Sequence, residues 1–202
     1  LILEDDVILS KSSLEFIETH KHRLKSEPNL FFISLNSPCD QFIQSSYYSD
    51  FPYIWGWYIS KKKWEEYRNF KQKYILLKIF KKYFLHPSSL IYWTAIYILM
   101  KLNILKSWDY DLVFYIICSN KQVLVPKYNL TKNIGFSNQS THTKENFKKD
   151  FVNYSFSNEE VNFDNDAIRS RDFKITKLEN RIVFDVSFRG FIKKVFRKIR
   201  VN

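Results

Sequence analysis

Glu4-Asp5-Asp6 stands between two short apolar runs, Leu1-Ile2-Leu3 and Val7-Ile8-Leu9. An apolar run of that length reads as a buried strand, so the triplet falls where a first strand has to end. Open α/β sheets collect ligands at the carboxyl ends of their strands. Three adjacent carboxylates repel one another unless a cation or protons sit between them. Mg²⁺ or Mn²⁺ with diphosphate oxygens is the natural guest, because hard cations take carboxylate and phosphate oxygen. A solvated acidic turn after an edge strand explains the same residues, so the triplet needs context.

That context lies further along. Tyr53-Ile54-Trp55-Gly56-Trp57-Tyr58 comes first, then Ser107-Trp108-Asp109-Tyr110-Asp111. Val123-Leu124-Val125-Pro126, Asn133-Ile134-Gly135-Phe136 and Ser140-Thr141-His142 follow. In this order the motifs resemble the nucleotide-sugar glycosyltransferases of the GT-A fold. The likeness is to bacterial glycosyltransferase-2-like enzymes and, more distantly, to the inverting N-acetylglucosaminyltransferase I family. Those enzymes have an acidic triplet, a Gly-Trp loop, a Trp-Asp catalytic segment and a Pro-to-Gly-to-His segment. The resemblance covers residues 1–143.

The resemblance implies an α/β fold in which residues 1–145 are the C-terminal part of a Rossmann-like GT-A domain. It implies direct metal contact at Asp6, with Glu4 and Asp5 nearer the ribose and sugar. Trp55, Gly56, Trp57 and Trp108 would shape the donor and acceptor pocket, and His142 would reach back to the metal or diphosphate. Asp109 would be the catalytic base, with Asp111 the alternative. The implied donor is a nucleotide-diphosphate sugar, the acceptor a glycan or lipid-linked glycan, and the cofactor Mn²⁺ or Mg²⁺. The product would be a surface polysaccharide or lipopolysaccharide, made on the inner, cytoplasmic face of a bacterial membrane. Asp6 and Asp109 should then face one cleft, with His142 at its rim.

Read on their own, the same residues leave alternatives open. Asp is a common helix cap, which would account for Asp109 without chemistry. A carboxylate beside Trp108 would be raised in pKa by the aromatic wall, while the helix dipole opposes this. A lone His beside Thr and Ser is commonly a solvated loop residue, although imidazole is a competent ligand for Mn²⁺. Trp55 and Trp57 can equally be core aromatics around a tight turn.

The chain has 202 residues, of which 45% are apolar, enough for one domain with a real core. It has only 3 glycines and neither a GxGxxG nor a P-loop pattern. We therefore expect a C-terminal portion of a longer protein, inactive alone, whose nucleotide-binding half lies upstream. The net charge of +11 suits an anionic partner. Two cysteines make no disulfide framework and point to a reducing compartment. No apolar run reaches the roughly 18–20 residues that span a bilayer.

Ser12 or Ser13 can cap a helix to about Lys25, and Leu30 to Leu35 reads as a buried strand. Asn36 to Asp50 reads as a loop. A basic helix is predicted over 61–70, and residues 71–86 form an amphipathic insertion. Leu90 to Leu102 is apolar nearly all round and should be buried. A helix follows to Cys118, then a short strand over Gln122 to Val125, then loop over 126–145. Residues 146–186 read as a surface arm or linker.

Residues 187–202 close the chain as a basic amphipathic helix. Phe188, Phe191, Ile192, Val195, Phe196 and Ile199 recur at helical spacing. Arg189, Lys193, Lys194, Arg197, Lys198 and Arg200 fill the other face. That pattern, over 188–201, fits an anionic membrane surface; a terminal helix docked on its own domain is the plainer reading. Two other functions compete with transfer. One is a non-catalytic basic module for membrane or nucleic acid, although no nucleic-acid motif occurs and we expect no such partner. The other is a metal-dependent phosphodiesterase, since carboxylates and a His also build two-metal sites.

Overall fold

Two uninterrupted apolar runs, Leu-Phe-Phe-Ile and Val-Leu-Val, fix the centre of the molecule, because strands covered on both faces need no polar alternation. In the computed structural model, which describes residues 1–39, 45–71, 73–134, 156, 163, 172–184 and 186, these runs are neighbouring parallel strands. The chain order is β1 (Val7–Leu9), α1 (Ser13–His20), α2 (Arg23–Ser26), β2 (Leu30–Ser34), β3 (Tyr47–Ser49) and β4 (Trp57–Tyr58). Next come α3 (Lys61–Arg68), α4 (Ile75–Tyr83), α5 (Pro87–Lys101), α6 (Trp108–Ser119), β5 (Gln122–Val125), β6 (Thr131–Asn133) and α7 (Phe173–Ile182). The fold class is mixed α/β.

The main sheet has the order β3-β5-β2-β4, with β2 and β5 parallel and both outer strands antiparallel to their neighbours. Every residue of β2 is buried. Beside this sheet β1 pairs antiparallel with β6, in the register Val7 to Asn133 and Leu9 to Thr131. One side of the core is mainly aliphatic, around Ile17, Ile33, Leu35 and Leu124, with Phe16 of α1 packed among them. The other is aromatic, around Trp93, Phe51, Phe114 and Tyr115 under α3 to α7.

Several elements depart from the sequence expectation. The first helix is split at Lys21-His22, yet both residues keep right-handed helical angles (φ −58, ψ −28 and φ −62, ψ −30). The expected loop 36–50 contains β3, and the expected loop 126–145 contains β6. Both are short strands of Tyr, Ser, Thr and Asn, whose polar character reads as turn until a partner strand supplies the ladder. The helix expected at 90–102 starts at Pro87, a residue suited to the first helical turn. It is not buried all round, since Ile91 is 66% exposed and Leu102 62%.

A helix lies within the stretch expected as an arm. Residues 172–184 carry α7, which Asp172 caps by accepting from the Lys174 backbone N–H at 2.7 Å. α7 docks into the aromatic core. Trp93 Nε1–H donates to Asn180 Oδ1 at 3.2 Å, and Phe184 meets the Trp93 ring edge-on with centroids 5.0 Å apart. Its register explains the docking, because Ile175, Leu178, Glu179 and Ile182 share one face at helical spacing. The rest of 146–186, apart from Phe156, Phe163 and Val186, lies outside the described residues, as does the tail 187–202.

Candidate functional site, a carboxylate edge at the start of a helix

The acidic triplet occupies a turn held on both sides. Before it, Ile2 forms a bridge to Trp57, with Ile2 N–H to Trp57 O at 2.8 Å and Trp57 N–H to Ile2 O at 3.0 Å. Within it, Val7 N–H donates to Glu4 O at 3.2 Å. After it, β1 enters its ladder, and Ile134 N–H donates to Asp6 O at 2.8 Å. The apolar flanks therefore pair with backbone, and the charges are left at the bend between them.

The charge of Asp109 is felt at this bend from elsewhere in the chain. Ser107 occupies the cap position of α6, and Asp109 and Asp111 lie in its first turn. Asp109 is thus not the cap; its Oδ1 accepts from the Ser107 hydroxyl. Negative side chains in a first turn are stabilised by the helix dipole, by about 0.3–1 kcal/mol each.

The charges feel one another. Burial, and after it the charges of Asp6, Asp5 and Asp109, hold the half-buried Glu4 carboxyl above the ordinary glutamate range. The Asp111 carboxyl is also raised, mainly by desolvation, with Lys101 opposing and Asp109 adding. Asp111 in turn adds to the burial that lifts the Tyr67 hydroxyl. Asp6 Oδ1 is shielded from solvent and has no hydrogen-bond partner among the described residues.

Among the described residues, no three His, Cys, Asp or Glu side chains converge at metal-ligand distance. That does not disqualify the edge. Mg²⁺ keeps several waters and is held by one or two carboxylates together with substrate phosphates, so it needs no all-protein cage. Asp6, with its shielded and unpartnered oxygen, and Glu4, raised by its neighbours, fit such a donor set.

The aromatic residues of the site divide. Trp108 is 52% exposed beside Asp109, and Trp55 is half-buried. Trp57 is a core residue, packed on Phe32 with ring centroids 4.9 Å apart and on Trp64 at 5.9 Å. Gly56 has φ +80, which a residue with a side chain rarely adopts. A Cβ there would meet Thr131 Cγ2 at 2.9 Å and Leu3 Cδ2 at 3.3 Å, so the close approach that Gly56 permits is to the chain's own β6 and N-terminal run. His142 and Gly135 lie outside the described residues.

No family model, curated protein or solved structure matches this chain.

A second polar centre is absent from the sequence reading. Under α7, Lys82 pairs with Asp50 at 3.1 Å, and Asp50 is almost fully buried. Thr176 Oγ1 donates to Asp50 Oδ2 at 3.3 Å. Glu179, fully buried, accepts from Tyr53 OH at 2.8 Å. Burial pushes the Glu179 carboxyl up to about 8, against the pull of Ser49 and Tyr53 hydrogen bonds. The signal was present: a glutamate stands on the apolar stripe of a helix, where a buried carboxyl needs partners. Asp50 and Lys82 carry no such mark in the sequence.

Proposed function

We propose that this chain is the catalytic part of a metal-dependent, inverting glycosyltransferase of the GT-A type. It moves a sugar from a nucleotide-diphosphate donor to a glycan or lipid-linked acceptor, in surface polysaccharide or lipopolysaccharide synthesis at the inner face of a bacterial membrane. One observation supports this above the others: the charge of Asp109 reaches Glu4, although the two are far apart in sequence. The motif order requires those two segments to meet.

In this reading Asp109 takes the proton of the acceptor hydroxyl as its oxygen attacks the anomeric carbon. The bond from that carbon to the diphosphate breaks, and the nucleoside diphosphate leaves with the electron pair. Ser107 orients Asp109 through its hydroxyl hydrogen bond. Asp6 and Glu4 would hold Mn²⁺ or Mg²⁺, which supplies Lewis-acid stabilisation of the departing diphosphate when bound. Trp108 offers an exposed aromatic face beside the base, suited to the apolar face of a sugar.

The test uses the natural full-length polypeptide with Mn²⁺ and a panel of nucleotide-diphosphate sugars. Release of nucleoside diphosphate with a new glycosidic bond is expected. Asp109→Asn should abolish turnover with donor binding nearly intact, while Asp6→Ala should also weaken Mn²⁺-dependent donor binding. Release of nucleoside monophosphate instead would make the protein a phosphodiesterase. Equal loss of donor binding in both variants would overturn the division of roles.

A further inference from the structure

At the far end of α6, about 12–16 Å from Asp109 at 1.5 Å per residue, lies a cavity of about 640 Å³ between α4, the start of α5 and α7. That is the size of a small-ligand pocket. Five cationic side chains line it: Lys78, Lys81, Lys82, Lys177 and Arg181. Asp50 is the one carboxylate in the described lining, and Lys82 already pairs with it. The other four have no ion-pair partner among the described residues. Four like charges around one cavity are self-repelling, and an anion relieves them. Ser88 and Ser89, in the first turn of α5, also line the cavity and bring the positive end of a 15-residue helix to it.

The cavity has an apolar margin. α4 shows three sectors at 100° per residue. Ile75, Ile79 and Tyr83 point into the core; Lys78, Lys81 and Lys82 face the cavity. The third sector, Leu76, Leu77, Phe80 and Phe84, is 49–57% exposed. Leu85, 72% exposed, belongs to both the stripe and the cavity lining. Single exposed apolar residues are ordinary, but a continuous stripe rimmed by lysines is the pattern of a helix lying in a membrane interface.

We infer that the α4–α5 corner is a docking site for anionic phospholipid, with the headgroup phosphate in the basic cavity and the acyl chains along Leu76, Leu77, Phe80 and Phe84. Charge complementarity selects an anion, and the adjoining stripe selects one that carries hydrocarbon. A soluble phosphate would use the cavity and leave the stripe in water. The inference is independent of the proposed transferase activity and uses different residues from the basic tail at 188–201.

The test is flotation of the full chain with phosphatidylcholine vesicles, with and without phosphatidylglycerol. Two backgrounds are compared: the natural sequence, and Phe191→Asp with Phe196→Asp, which breaks the apolar stripe of the tail. Binding should require phosphatidylglycerol in both. Lys81→Glu with Lys177→Glu should weaken it about tenfold or more, since each basic residue near an anionic leaflet contributes a comparable factor. Phe80→Asp with Phe84→Asp should weaken it as strongly, with the thermal transition retained because both side chains are exposed. If that pair unfolds the chain, Leu77→Ser with Phe84→Ser serves instead.

Four outcomes overturn the inference. One is equal binding to neutral vesicles. Another is no effect of either α4 variant in the tail-broken background. A third is saturable binding of inorganic pyrophosphate, lost with the lysine variant while vesicle binding stays unchanged, which would make the cavity a soluble-phosphate site. The last is a concentration-dependent dimer lost with the phenylalanine variant while vesicle binding stays unchanged, which would assign the stripe to a second copy.

Discussion

The two ends of α6 differ in charge, and the helix dipole favours both. Asp109 and Asp111 sit at its positive start, while Lys78, Lys177 and Arg181 line the cavity at its other end. The dipole favours each arrangement by no more than about 1 kcal/mol per charge. Sign alone therefore carries no functional information. What distinguishes the ends is how each charge is answered. At the start, carboxylates crowd one another enough to raise Glu4, and Asp6 keeps a shielded oxygen without a partner among the described residues. At the far end, one lysine is answered by buried Asp50 and four cations surround a space. The first is a set of carboxylates that raise one another; the second combines a structural ion pair with four further cations around one cavity.

The comparison can be broken most directly at Asp109. Asp109→Asn should lower turnover of the full-length protein by about 10²–10⁴-fold, with an unchanged melting temperature. Reversing Lys81 should leave turnover alone. A melting temperature that falls with Asp109→Asn would make the carboxylate a structural group.

Lys82 tests the other end. Lys82→Met strands Asp50 in the interior, and a broken buried pair costs about 3–5 kcal/mol. Urea unfolding should show that loss. A loss within about 0.5 kcal/mol would mean that water reaches Asp50.

Next in size is a pH effect. Below about 4.5 the Glu179 carboxyl is protonated whether the chain is folded or not; between 4.5 and about 8 only the folded state holds the proton. Stability should therefore fall as pH rises through that window, and Glu179→Gln should flatten the fall. His20 works the other way. Burial, with Arg23 and His22, lowers it to about 4, so the unfolded chain takes its proton first and stability falls as pH drops from 6.5. The Glu179→Gln protein should keep that acid-side loss.

The smallest effect is at Glu4. Its raised pKa makes its ionised form a cost to the fold, so Glu4→Gln should raise the melting temperature slightly, by no more than about 2 °C. Mn²⁺ should stabilise the natural protein more than the variant. No difference would mean that the triplet holds no cation.

How much was legible follows the same physical lines. β2 and β5 were readable because a strand covered on both faces carries an uninterrupted apolar run, here residues 30–33 and 123–125. β3 and β6 were not, because Tyr-Tyr-Ser and Thr-Lys-Asn carry no alternation and become strands only through distant partners. That the charge of Asp109 is felt at Glu4 could be expected only from motif order; no periodicity announces it. Trp57 shows the converse, since a motif position can be filled by a residue that packs the core. α7 was missed because its apolar stripe is interrupted by Glu179, which reads as a surface residue until Tyr53 and the core close over it.

The pairing of β1 with β6 has a consequence for the order in which the molecule assembles. β1 finds its partner only at Thr131, and β2, flanked on one side by β4, gains its parallel neighbour only at Gln122. Contacts between such distant segments form late, because loop closure is paid before they reward it. During synthesis residues 1–9 therefore emerge before this partner. They carry open strand edges, of the kind that make unfinished chains prone to associate. Three adjacent carboxylates on that segment keep copies apart until the last strand arrives, so the same charges that crowd the finished edge would protect the unfinished one.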